Sequence, residues 1–73
     1  MDLEISLDVR GLAPPEPLER VLDTLAAIGA QQKLRVLIGR EPIPLFVILD
    51  KNGYAHSMSR RSASLFEILI WRR

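Results

Sequence analysis

A chain of 73 residues without cysteine fits one domain, near the lower size limit for a core that stands without disulfides or metal. Hydrophobic residues make up 48% of it, enough for one compact core over residues 1–73 and too many for a disordered chain. A formal net charge of +1 excludes a molecule that attracts nucleic acid through its overall charge.

Charge is nevertheless unevenly placed. Residues 1–29 hold six acids against two bases, and residues 30–73 hold eight bases against three acids. Such a split either marks a basic face for an acidic partner or disappears as the two halves interleave, and interleaving is expected. The apolar run Leu45-Phe46-Val47-Ile48-Leu49 falls far short of the roughly 20 residues of a membrane helix, so no membrane contact is expected. Met1-Asp2-Leu3-Glu4 lacks the basic, apolar and small-residue order of a signal peptide. The expected location is cytoplasmic.

Leu3, Ile5, Leu7 and Val9 alternate with Glu4, Ser6 and Asp8, the period of a half-buried strand. A turn at Gly11 leads to Pro14, Pro15 and Pro17, which suit a helix start where amides lack partners anyway. Leu18, Val21, Leu22, Leu25 and Ile28 then share one helical face, with Glu16, Glu19, Arg20 and Asp23 opposite and Gly29 as the stop. Lys33–Ile38 reads as a second strand, with Leu34, Val36 and Ile38 on one side.

A second proline-marked start, Gly39-Arg40-Glu41-Pro42-Ile43-Pro44, precedes Leu45–Lys51. Composition alone permits a strand there. The prolines, the Asn52-Gly53 stop and the position between two strands favour a short helix. Tyr54–Arg60 is mostly polar, as an exposed edge strand should be. Ser62-Ala63-Ser64 forms a hairpin loop, and Leu65–Trp71 is apolar on nearly both faces, as a central strand should be. The expected fold is an α/β two-layer sandwich, β-α-β-α-β-β. Its four-stranded mixed sheet has the order 1-2-4-3, with both helices on one face.

The stretch Leu7-Asp8-Val9-Arg10-Gly11-Leu12-Ala13-Pro14-Pro15-Glu16-Pro17 resembles the N-terminal signature of the TusA-like (SirA-like) sulfur-carrier superfamily. In that family a strand ends in Leu-Asp-x-x-Gly-Leu and runs into Cys-Pro-x-Pro at the first helix. Pro15, Glu16 and Pro17 match Pro-x-Pro, while Pro14 stands where the resemblance implies the sulfur-carrying cysteine. Arg40-Glu41-Pro42-Ile43-Pro44-Leu45 is similar to a cysteine-less branch of small domains of unknown function. A persulfide carrier needs a thiolate, and proline offers no nucleophile, so sulfur transfer on this chain is excluded.

Three surfaces are candidates for function. Parallel strands would bring Arg10, Glu16, Arg40 and Glu41 together around the two helix starts, where a small anion could bind. The prolines there remove donors, however, and the glutamates repel anions unless paired with arginines. Leu37, Leu69 and Trp71, bordered by Arg35 and Glu67, could form an apolar patch on the sheet face without helices, suited to a protein partner or self-association. Arg60, Arg61, Arg72 and Arg73 are basic but lack the rings of an RNA-stacking platform, so nucleic acid ranks last.

His56 and Ser57 point to opposite faces of a strand and form no dyad. No second ligand of metal spacing accompanies His56, and no nucleotide motif occurs. Neither cofactor, metal nor catalysis is expected. The leading expectation is a non-catalytic interaction module; the alternative is a small-anion binder or sensor at the paired helix starts.

Overall fold

The computed structural model describes residues 3–73. Their elements are β1 (Glu4–Asp8), α1 (Glu16–Ala27), β2 (Lys33–Ile38), α2 (Ile43–Lys51), β3 (Tyr54–Ser62) and β4 (Leu65–Arg72). One sheet has the order β1-β2-β4-β3. β1 runs parallel to β2, while β4 runs antiparallel to both β2 and β3. Element order, sheet order and mixed character are those expected from the sequence.

Alternation along the two central strands builds the core. Leu34 and Val36 of β2, with Ile68 and Ile70 of β4, are fully buried on one sheet face. Against this face α1 sets Val21 and Leu25, and α2 sets Leu45 and Leu49. Each helical pair is spaced i, i+4 and so lies on one side of its helix. Val9 and Ile38 close the core at the strand ends, and no polar or charged residue is buried among the described residues. Both helices therefore cover the same face and leave the other without helical cover.

The two helices begin in the same way. Pro17 and Pro44 each sit in a first turn, where their missing N–H costs no intrahelical bond. α2 starts at Ile43, earlier than the expected Leu45, because Pro44 suits the first turn. Burial of Leu45 and Leu49 overrides the strand preference of Phe46-Val47-Ile48. At its end Asn52 donates its side-chain amide to the Ile48 carbonyl at 2.7 Å, and its N–H to Ile48 and Leu49 carbonyls at 3.1 Å. Gly53 follows at φ +79°, a conformation that disfavours side chains.

β3 differs from the polar edge strand expected of it. It is an edge, but Tyr54 and Met58 pack against the core, and the Phe46 ring of α2 stacks on His56 at 4.5 Å and 8°. The strand continues to Ser62, leaving Ala63 and Ser64 as the hairpin turn. Arg61 falls at a register shift between Arg60 and Ser62.

Three substitutions test this packing and turn geometry. Leu34→Ala should lower stability in urea unfolding by about 2–5 kcal/mol, a large share of what so small a domain has. Leu3→Ala, at a side chain 63% exposed, should change it by less than about 0.5 kcal/mol. Gly11→Ala should cost about 1 kcal/mol, because Gly11 sits at φ +79° with open space around it and strain is the whole effect.

Candidate functional site

Parallel pairing sets the carboxyl ends of β1 and β2 side by side. Just beyond β1, the Val9 N–H still donates to the Leu37 carbonyl at 2.9 Å. The loops that leave this edge run directly into α1 and α2, so both helices start at the same end of the sheet. Between the two starts lies a cleft of about 640 Å³. Val9, Ile38, Leu18 and Leu45 line it, as do Pro14, Pro15, Pro17, Pro42 and Pro44, which are all the prolines of the chain. Its charged lining residues are Arg40 and Glu41.

The four residues expected to cluster here divide into two pairs. Arg40 and Glu41 line the cleft beside Pro14, but Arg10 and Glu16 do not. Arg10 folds back on Asp8, with its Nε and a terminal guanidinium nitrogen 2.9 and 2.7 Å from the carboxylate oxygens. Its own N–H adds a third bond to Asp8 at 3.0 Å. These bonds hold the Asp8 carboxyl at a pKa of about 2, well below the usual aspartate value. Glu16 meets Arg20 one helical turn away at 3.3 Å. In both cases a partner close along the chain outcompetes one across the loops.

The helix starts also hold few donors for an anion. The Glu16 and Glu19 amides donate to the Ala13 and Pro15 carbonyls at 3.0 and 3.1 Å. At α2 the Ile43 amide donates to Glu41, and the Leu45 and Phe46 amides donate to Pro42. Pro17 and Pro44 have no N–H to offer. Where many helix N-termini cradle an oxyanion, these present hydrocarbon rings.

On the uncovered sheet face, Leu37, Leu69 and Trp71 occupy the expected strands and are half-buried. A charged row crosses it with one residue per strand in sheet order: Glu4, Arg35, Glu67 and Arg61. Arg35 donates to Glu4 at 2.5 and 3.1 Å and also to Glu67, while Arg61 donates to Glu67 at 3.0 Å. Leu37 stands opposite Glu67 in the register and Leu69 opposite Arg35, so the Arg35–Glu67 pair lies between the two leucines. The Lys33 ammonium sits 5.2 Å from the centre of the Trp71 ring. Bonding to the guanidinium groups pulls the Glu4 and Glu67 carboxyls below their ordinary pKa. In this row Glu4–Arg35 joins an acid of the first half to a base of the second, while the Arg35–Glu67 and Arg61–Glu67 pairs lie within the second half.

The remaining candidates are engaged separately. Arg60 and Arg72 lie 6.0 and 5.6 Å from the Phe66 and Tyr54 ring centres, and Arg73 reaches Asp50 at 3.4 Å. His56 approaches Asp50 at 3.3 Å, away from the residues that line the cleft. Among the described residues no group of three or more His, Cys, Asp or Glu is placed to hold a metal, and no helix is long and apolar enough to cross a membrane. One exposed apolar feature escaped the sequence reading: Ile43 and Val47, a turn apart on α2, are 55% and 50% exposed. A helix apolar on every side was the signal for it.

Fold and site together define a small α+β domain with a proline-walled cleft at its paired helix starts. The chain belongs to DUF2249, a family described as an uncharacterized conserved protein, which it matches over residues 6–72. That match includes Leu7–Pro17, the stretch that resembles the sulfur-carrier signature, and it establishes no link to those carriers. Among curated proteins and solved structures, nothing matches the chain.

The charged row and the Asp8–Arg10 pair predict the acid side of the stability curve. Each of these carboxyls is held below its unfolded pKa, so at acidic pH the folded state binds fewer protons than the unfolded state. Their stabilising effect is complete above the ordinary carboxylate range and drains away as pH drops through it, for Asp8 down to about 2. Melting temperature followed against pH should show this fall. Glu67→Gln should flatten it while leaving the slope near neutral pH unchanged.

Proposed function

We propose that this chain is a binding domain without catalytic chemistry of its own, and that its recognition site is the cleft at the paired helix starts. The cleft itself carries the reading. Its volume of about 640 Å³ falls in the range of small-ligand sites, and it opens at the carboxyl ends of parallel strands, where α/β sheets commonly bind. Prolines on its walls are already rigid, so little order is lost when they are covered. Among the described residues its lining contains no nucleophile and no acid–base pair beyond Arg40 and Glu41. That composition suits binding better than turnover.

The resemblance of Leu7–Pro17 to the TusA-like start supports a further part of this reading. The domain keeps a sulfur-carrier scaffold and uses its docking end without the thiol, with Pro14 forming cleft wall in the cysteine's place. The uncovered sheet face is the weaker candidate, because charged side chains already answer one another across it. A specific observation favours a second reading, docking of a protein partner or a second copy along α2. It is the exposure of Ile43 and Val47 next to cleft-lining Pro44.

Amide-resolved NMR separates the two. Titration with a panel of small apolar acids, alcohols and amines should give saturable shifts confined to residues 9–18 and 38–45. Ala13→Trp, which puts a bulky ring on the cleft lining, should abolish them, and Val47→Asp should not. Loss of self-association or partner binding in Val47→Asp but not in Ala13→Trp would move the function to α2. Absence of any saturable shift, partner or self-association would sink both readings.

A further inference from the structure

Arg40 stands apart from the other arginines. Arg10, Arg20, Arg35, Arg61 and Arg73 each meet a carboxylate, and Arg60 and Arg72 lie over aromatic rings. Among the described residues Arg40 has no ion pair, hydrogen bond or ring contact, and it lines the apolar cleft. An arginine at such a position is a preset fork for one planar carboxylate, which it can hold through two parallel N–H donors. The rest of the lining narrows the ligand further. Glu41, also without a partner, repels a second negative charge. Phosphate near neutral pH carries more than one charge and is best held by several amides, and the α2 amides here are already spent on Glu41 and Pro42 carbonyls. Proline rings and the Val9, Leu18, Ile38 and Leu45 side chains ask for hydrocarbon over most of the ligand.

We infer that the cleft takes a small amphipathic monocarboxylate, its apolar body against the prolines and its carboxylate on the Arg40 guanidinium. The inference rests on the cleft being the binding site, and it adds the chemistry of what enters.

The test uses octanoate as probe, with octanol and inorganic phosphate as comparators, titrated into the ¹⁵N-labelled chain. Octanoate should give saturable shifts in residues 9–18 and 38–45, with octanol weaker and phosphate silent. Arg40→Gln should raise the octanoate Kd about tenfold or more, the loss of one charge-assisted contact. Arg72→Gln should leave it unchanged, and Glu41→Gln should lower it. Octanol binding the cleft as tightly as octanoate, with no effect of Arg40→Gln, would overturn the carboxylate assignment and leave the cleft reading standing. Phosphate binding that depends on Arg40 and displaces octanoate would overturn it in favour of a plain anion site. Failure of both octanol and octanoate to perturb the cleft would overturn the inference and the cleft reading together.

Discussion

Parallel pairing of β1 with β2 is the constraint on which the rest of the molecule depends. Leu7 stands beside Val36 and Asp8 beside Leu37, and the ladder carries on to the Val9 amide. A parallel pair needs a crossover, and α1 supplies it while burying Val21 and Leu25 on the face that β2 and β4 present. The same pairing makes the two strand ends coincide, so the turn at Gly11 and the turn at Gly39 open toward one another. It also places Glu4 within reach of Arg35 on the opposite sheet face. A slip of one residue would turn Leu34 and Val36 to solvent and Arg35 into the core, which fixes the register strongly.

Given that geometry, the prolines decide what kind of site the shared end becomes. A helix start ordinarily presents open amides and partial positive charge to whatever lies before it. Here Pro17 and Pro44 remove donors, and the Ala13, Pro15, Glu41 and Pro42 carbonyls take up several of the amides that remain. What faces the cleft is ring hydrocarbon at fixed backbone angles. Polar recognition is left to side chains, and of the two charged ones present only Arg40 is cationic. On the proposed reading, such a site would select by shape and apolar contact first, and by one charge second.

The elements were legible because each announces itself along its own stretch of chain. Alternation in β1 and β2, the spacing from Leu18 to Ile28, and the Asn52-Gly53 stop are local patterns, and the structure follows them within a residue or two. The 1-2-4-3 order followed from combining them with crossover rules and the apolar character of β4 on both faces. What stayed hidden depended on register or on competition between partners. Arg10 and Glu16 were sensible members of one cluster until Asp8 and Arg20, nearer along the chain, claimed them. The row through Glu4, Arg35, Glu67 and Arg61 joins residues from four different strands, and no stretch of sequence displays it. His56 looked like an exposed strand residue because Phe46, which stacks on it, belongs to another element.

The Pro14 position is best understood with its surroundings. A thiol that serves as a carrier needs help to become a thiolate, and a helix start with open amides is one of the common sources. Around Pro14, Pro15 and Pro17 contribute no N–H, as in the Pro-x-Pro pattern they resemble, and the Glu16 and Glu19 amides are bonded to backbone carbonyls. Proline at residue 14 agrees with prolines at 15, 17, 42 and 44, and all five face the same space. Five prolines converging on an apolar floor, with the charged row committed to the opposite sheet face, are what the proposed hydrocarbon-binding role rests on.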